Sequence, residues 1–171
     1  MTNAVVTDPV RGIIVAHGTM AAGLVEAATR VSGVEEGVLV AISNDGLGPE
    51  ELRDAILSDA SGGSALVFTD LAAGSCTLAA RICCSQGAPL AVVSGVNLAM
   101  LLDFLFHREL PLDDLVEHVV SRGKEGVRAL ATPKRTDTGR ADSAHVDPAV
   151  PRATRKHCIR TGRIDDRDGQ C

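Results

Sequence analysis

Apolar positions along this chain switch repeatedly between two spacings. Residues 13–16, Ile-Ile-Val-Ala, are an unbroken apolar run, the pattern of a strand covered on both faces. MAAGLVEAATRVSG at 20–33 then places Leu24, Ala27, Ala28 and Val31 at intervals of three and four, predicting a helix stopped by Gly33. A second strand is read in GVLVAI at 37–42. After the loop SNDGLG, PEELRDAILSDASGG predicts a helix with Pro49 in its first turn, Glu50 and Glu51 at its positive end, and Gly62-Gly63 as its stop. SALVFTD at 64–70 is the third strand, followed by a helix from Ser75 to Gln86 with Leu78, Ala79, Ile82 and Cys83 on one side. The fourth unit pairs PLAVVSG with NLAMLLDFLFHREL, where Asn97 is placed to cap a helix carrying Met100, Leu101, Phe104 and Leu105.

Four repetitions of strand then helix predict an α/β fold, an open doubly wound, mostly parallel sheet with helices on both faces. PLDDLVEHVVSRG adds a helix with Leu115, Val116 and Val119 apolar, and GVRAL at 126–130 reads either as an edge strand or as the end of the fold. Beyond Thr132 the periodicity fails. The expected organisation is one domain over 1–131 and a polar basic tail over 132–171 without regular structure.

Composition agrees with that division. The chain of 171 residues has no Trp or Tyr and three Phe, so its core must be built of Val, Leu, Ile and Ala. Residues 1–130 hold sixteen acidic and eight basic side chains, a net −8, whereas residues 131–171 hold six and nine, a net +3. An acidic body without aromatic platforms excludes nucleic acid as the expected partner. The five cysteines form no regular framework, and the adjacent pair Cys83-Cys84 is poorly placed for a shared metal or disulfide, so reduced thiols filling helix interiors are expected. MTNAVVTDPVRG does not have the pattern of a signal peptide and no run suits a membrane span, giving a cytoplasmic expectation.

Candidate chemistry collects where strands end. His17 follows the first strand and Asp70 ends the third, at the edge where open α/β sheets place their ligands. A carboxylate on one ring nitrogen would fix the tautomer and leave the other nitrogen as base, ligand or nucleophile. Gly74 and Ser75 open a helix whose first N–H groups suit phosphate oxygens, while Ser75 reads equally as a helix cap. Gly18 and Asn97 are candidate supports, Asn97 with the same double reading. No nucleotide-cradling loop or dinucleotide turn is present in the sequence, so a protein donor of phosphate fits better than a bound nucleotide.

The segments VAHGTMAAGLVEAA, LVFTDLAAGSCTLAARI, VVSGVNLAMLLDFL and SRGKEGVRAL, in this order, resemble the mannose-type IIA component of the bacterial sugar phosphotransferase system, a family that also includes a dihydroxyacetone kinase subunit. The resemblance spans about residues 12–130. It implies that His17 is phosphorylated, that Asp70 orients its ring, and that Ser75 helps to bind the phosphoryl group. It also implies an additional antiparallel edge strand exchanged within a homodimer, to which GVRAL would belong. Where the family has Gly-Gly-Ser/Thr-Pro followed by Asn, this chain has Ala73-Gly74-Ser75-Cys76-Thr77-Leu78.

The resemblance implies a protein-histidine phosphotransferase component that takes phosphate on His17 from a histidine-containing phosphocarrier protein and passes it to a mannose-type IIB protein. No cofactor and no metal are expected, and any association with a membrane permease would be peripheral, through partners. Three other readings remain open from the sequence: a regulatory module that is phosphorylated without onward transfer, a dihydroxyacetone kinase phosphotransfer subunit, and a small metal or redox protein using His17, Asp70 and Cys76. A structural α/β domain with an inert His17 is the plainest.

Overall fold

A computed structural model describes residues 8–131. Four strands alternate with helices: β1 (Arg11–Ala16), α1 (Met20–Ser32), β2 (Leu39–Ser43), α2 (Pro49–Asp59), β3 (Ala65–Thr69), α3 (Ser75–Ser85), β4 (Leu90–Ser94), α4 (Leu98–His107) and α5 (Leu112–Glu125). All pairings are parallel and the strand order is β2-β1-β3-β4. The expected doubly wound sheet is therefore present, with β1 and β3 adjacent at its centre.

Strand alternation divides the core. Ile14 and Ala16 of β1 and Leu66 and Phe68 of β3 face α1, α4 and α5. Ile13 and Val15 with Ala65 and Val67 face α2 and α3. Successive side chains point to opposite sides of a strand, so only unbroken apolar runs fill both layers. Phe68 and Phe104 meet edge to face with ring centroids 5.5 Å apart. Gly12 lies beside them, where any Cβ would collide with Leu39 and Phe104.

Small residues also set the α4–α5 crossing. A Cβ on Gly123 would strike the Met100 side chain, and one on Gly126 would come within 2.9 Å of the Ala99 Cβ. Helix α5 therefore runs through Gly123 to Glu125, beyond the expected end of its periodic pattern. The chain leaves it in a turn, with Val127 N–H on the Lys124 carbonyl and Arg128 Nε on the Glu125 carbonyl.

Within the single chain residues 126–130 form no strand, which is the second of the two readings given for GVRAL, and Val127 and Leu130 are exposed. Other expectations are corrected by packing. Helix α2 ends at Asp59, before Gly62-Gly63. In α3 the small residues Cys76, Ala79, Ala80 and Cys83 face the sheet, leaving Leu78 exposed, because close helix-to-sheet approach selects the small side. In α1, Ala21 and Ala28 are the buried residues and Val31 is exposed, while Leu24 packs at the margin of the core. The tail expected over 132–171 lies outside the described residues.

Candidate functional site

The centre of the sheet delivers His17 and Asp70 to one place. β1 ends at Ala16 and β3 at Thr69, in neighbouring register, so the next residue of each strand emerges from the same edge. His17 Nδ1 lies 2.5 Å from Asp70 Oδ2, and the His17 backbone N–H donates to the same oxygen at 3.1 Å. The Leu71 N–H donates to Asp70 Oδ1 at 2.8 Å. The Asp70 side chain is 8% exposed, whereas the His17 ring is 52% exposed.

This arrangement sets the carboxylate's protonation. Burial alone would push the Asp70 carboxyl up, but the hydrogen bonds from the His17 ring, the His17 N–H and the Leu71 N–H outweigh it and hold the group below its ordinary value. Asp70 thus stays ionised and accepts the Nδ1 proton of the ring. Among the described residues nothing hydrogen-bonds Nε2 of His17, so this nitrogen carries the available lone pair.

Backbone conformation turns the chain sharply on either side. Gly18 has φ +56 directly after His17, a left-handed value that favours glycine. Gly74, at φ 134, is the N-terminal cap residue of α3, with no side-chain cap bond. Ser75 is therefore the first helical residue, correcting its reading as the cap. The first N–H groups of α3 consequently lack intrahelical partners and are suited to anionic oxygens.

Asn44 joins these parts and was not singled out by the sequence. Its N–H donates to the Ala16 carbonyl at 3.2 Å, and its Nδ2 lies 3.5 Å from Ser75 Oγ. A polar residue just past the strand beside β1 was the available signal. Thr69 and Thr77 were missed as well. The Thr77 hydroxyl donates to the Leu71 carbonyl at 2.5 Å and accepts from the Thr69 hydroxyl at 2.7 Å, with Thr69 Oγ1 also 3.3 Å from the Leu71 carbonyl oxygen, fastening the loop that carries Asp70 to α3.

Asn97 stands elsewhere. Its Oδ1 accepts from the Met100 N–H at 3.2 Å, as a helix cap does, and its Nδ2 donates to the Gly123 carbonyl at 3.4 Å. It fastens α4 to α5, while the neighbouring Val96 N–H reaches the Thr69 carbonyl. Cys76 lies near the pair, with one ligand-capable atom from each of His17, Asp70 and Cys76 within 4.8 Å of the others. Burial pushes its thiol up, and the Asp70 charge adds to that, favouring the protonated form of the sulfur.

Comparison with known proteins converges on one family. Residues 12–120 match the family model described as the fructose IIA component of the phosphotransferase system. Among solved structures, phosphotransferase component EIIA from Streptococcus agalactiae aligns with TM-score 0.65 and 28% identity, over 70% of this chain and 96% of that one. The mannose/sorbose-specific IIA subunit from Enterococcus faecalis aligns with TM-score 0.59 and 26% identity, over 75% and 100%. The IIA protein associated with a fucose utilization operon in Streptococcus pneumoniae shares the fold, at TM-score 0.62 and 20% identity over 72% and 96%. Curated protein sequences give no match. With the family model covering more than half of its length, the chain belongs to the mannose-type IIA family of the sugar phosphotransferase system.

Proposed function

We propose that this protein is a phosphoryl carrier that accepts phosphate on Nε2 of His17 from a phosphohistidine donor and passes it to a second protein. The observation that carries this reading is the buried, ionised Asp70 holding Nδ1 of a half-exposed ring and leaving Nε2 available. The donor is a histidine-containing phosphocarrier protein and the acceptor a mannose-type IIB protein, both supported by membership of the family.

In the loading step the Nε2 lone pair of neutral His17 attacks phosphorus. A new N–P bond forms as the donor's N–P bond breaks, and the donor ring leaves with that electron pair. His17 keeps its Nδ1 proton and becomes cationic, a charge that Asp70 balances at hydrogen-bond distance. The N-terminal N–H groups of α3 and the Ser75 hydroxyl supply donors for the phosphoryl oxygens, with Gly74 allowing close backbone approach. Transfer to the acceptor reverses these roles.

The surroundings suit a protein partner. Met20, Leu71 and Leu78 are exposed apolar side chains on the segments carrying His17, Asp70 and Ser75. Leu78 replaces the family's asparagine with surface that a partner can cover. The edge of β4 and the exposed Val127 and Leu130 are consistent with a homodimer in which residues 126–130 pair with a sister subunit, although the single chain forms no strand there. Among the described residues no helix is long and apolar enough to cross a membrane, so association with a permease runs through partners.

The test is incubation with phosphoenolpyruvate, the first enzyme of the system and the phosphocarrier protein, followed by intact mass and acid-labile phosphate. One phosphoryl group is expected, absent in His17→Ala. Absence of uptake beside a competent control IIA protein would reject this donor and shift the assignment to a kinase branch. Loading without onward transfer to any IIB protein would instead identify a regulatory module.

A further inference from the structure

A second imidazole–carboxylate cluster lies away from the sheet edge, on the face shared by α4 and α5. Asp103 is the one charged residue in the buried class among the described residues, and its side chain is only 4% exposed. A buried carboxylate is costly unless its charge is met by partners. His107 follows one helical turn later, with Nδ1 3.4 Å from Oδ1, and His118 of α5 brings Nδ1 to 3.1 Å from Oδ2. One ligand-capable atom from each of the three residues lies within 4.8 Å of the others.

We propose that Asp103, His107 and His118 form a binding site for a divalent first-row transition-metal ion of the zinc class, separate from the phosphoryl site. Two imidazoles and one carboxylate are the donor set that such an ion prefers, whereas calcium or magnesium would require more oxygen ligands. Zinc bonds of about 2.0–2.1 Å place neighbouring ligand atoms about 3.3 Å apart in a tetrahedron. The two imidazoles already stand near that spacing from the carboxylate, each from a different oxygen, 3.4 Å from Oδ1 for His107 and 3.1 Å from Oδ2 for His118, so a turn of the carboxylate brings one oxygen to face both rings.

Access and field favour a cation. The His107 and His118 side chains are 39% and 51% exposed, leaving a solvent-facing side on which water completes the coordination. An open cleft beside His118 is also lined by Asp114, Glu117 and Glu125, three carboxylates against the one guanidinium of Arg122. Two local contacts must yield. Nδ1 of His107 donates to the Asp103 carbonyl at 2.8 Å, so its ring rotates to coordinate. Arg122 Nε stands 3.6 Å from Asp103 Oδ1, but its guanidinium is already drawn outward by Glu125 at 3.2 Å, and the ion displaces it from the carboxylate.

The full-length protein is titrated with Zn2+ by calorimetry and with Co2+ by visible absorption, alongside His107→Gln, His118→Gln and His17→Ala. The chain has other potential ligands at His145, His157, Cys158 and Cys171, so the decisive quantity is the difference between variants. The expected result is one site weakened by more than about tenfold in each of His107→Gln and His118→Gln, retained in His17→Ala, with a cobalt spectrum lacking a thiolate charge-transfer band. Circular dichroism checks that these partly exposed substitutions leave the fold intact. Proton–nitrogen spectra of the wild-type histidine rings give a readout without a variant, because zinc should shift the His107 and His118 ring nitrogens. Identical titrations in wild type and both variants, unshifted ring nitrogens, or cobalt binding that depends on His17 or a thiolate would overturn the site.

Discussion

The chain contains two imidazole–carboxylate clusters that share one ingredient and differ in how it is held. At the sheet edge Asp70 receives two backbone N–H groups and a single ring, and its position is dictated by main chain on both sides. On the α4–α5 face Asp103 is met by the side chains of His107, His118 and Arg122. A backbone-fixed carboxylate orients one ring and leaves its far nitrogen free for chemistry. A carboxylate shared among several partly exposed side chains is suited to gathering ligands around a common centre.

The largest effect expected is on phosphoryl transfer. Asp70→Asn should lower its rate by about 10²–10⁴-fold, within the range of lost acid–base and tautomer control, measured by rapid-quench loading from the phosphocarrier protein. A loss under threefold would erase the distinction between the clusters. Asp103→Asn should instead cost stability, about 1.5–3 kcal/mol from hydrogen bonds to a buried charge, in urea denaturation. Loading in this variant, once folded, should remain unchanged. Asn97→Ala removes an α4 cap and its link to α5, with an expected cost of about 1 kcal/mol; an unchanged midpoint would show that the cap contributes nothing.

The depressed Asp70 carboxyl gives a pH test with a definite sign. Its ionised form is favoured by folding, so its contribution is present above the ordinary carboxylate value and is lost as pH falls through the lower, folded-state value. Stability against pH should be flatter on the acid side in Asp70→Asn than in wild type. Identical acid limbs would contradict the hydrogen-bonded, ionised state. The smallest effect is expected from His118→Gln, which should load phosphate at the wild-type rate while losing the proposed metal affinity.

The first four strand–helix units were legible for a simple reason. Strands covered on both faces are largely apolar, and the unbroken runs at 13–16 and 65–68 have no other ready use. Pairing of His17 with Asp70 followed from the same topology, since adjacent central strands end at the same edge. The roles of Asn44, Thr69 and Thr77 were hidden because their partners lie across the sheet or at the start of another helix. The burial side of α3 was legible only in part. Periodicity placed Ala79 and Cys83 on the buried side correctly, but the short distance between helix and sheet brings the small Cys76 and Ala80 there and leaves Leu78 exposed.

By itself the sequence determined the alternation of elements, the all-aliphatic character of most of the core, and the placing of a histidine and an aspartate at strand ends. Those properties are local: they depend on spacing along one segment and on the polarity of its residues. Tertiary structure decided that Asp103, five helical turns' worth of chain away from Arg122 in sequence terms, meets it and two histidines, and that Gly123 and Gly126 exist to let α5 approach Met100 and Ala99. It also decided that Val127 and Leu130 emerge into solvent beyond α5. Such outcomes depend on which surfaces come together, and close packing leaves a side chain room only after both surfaces are in place.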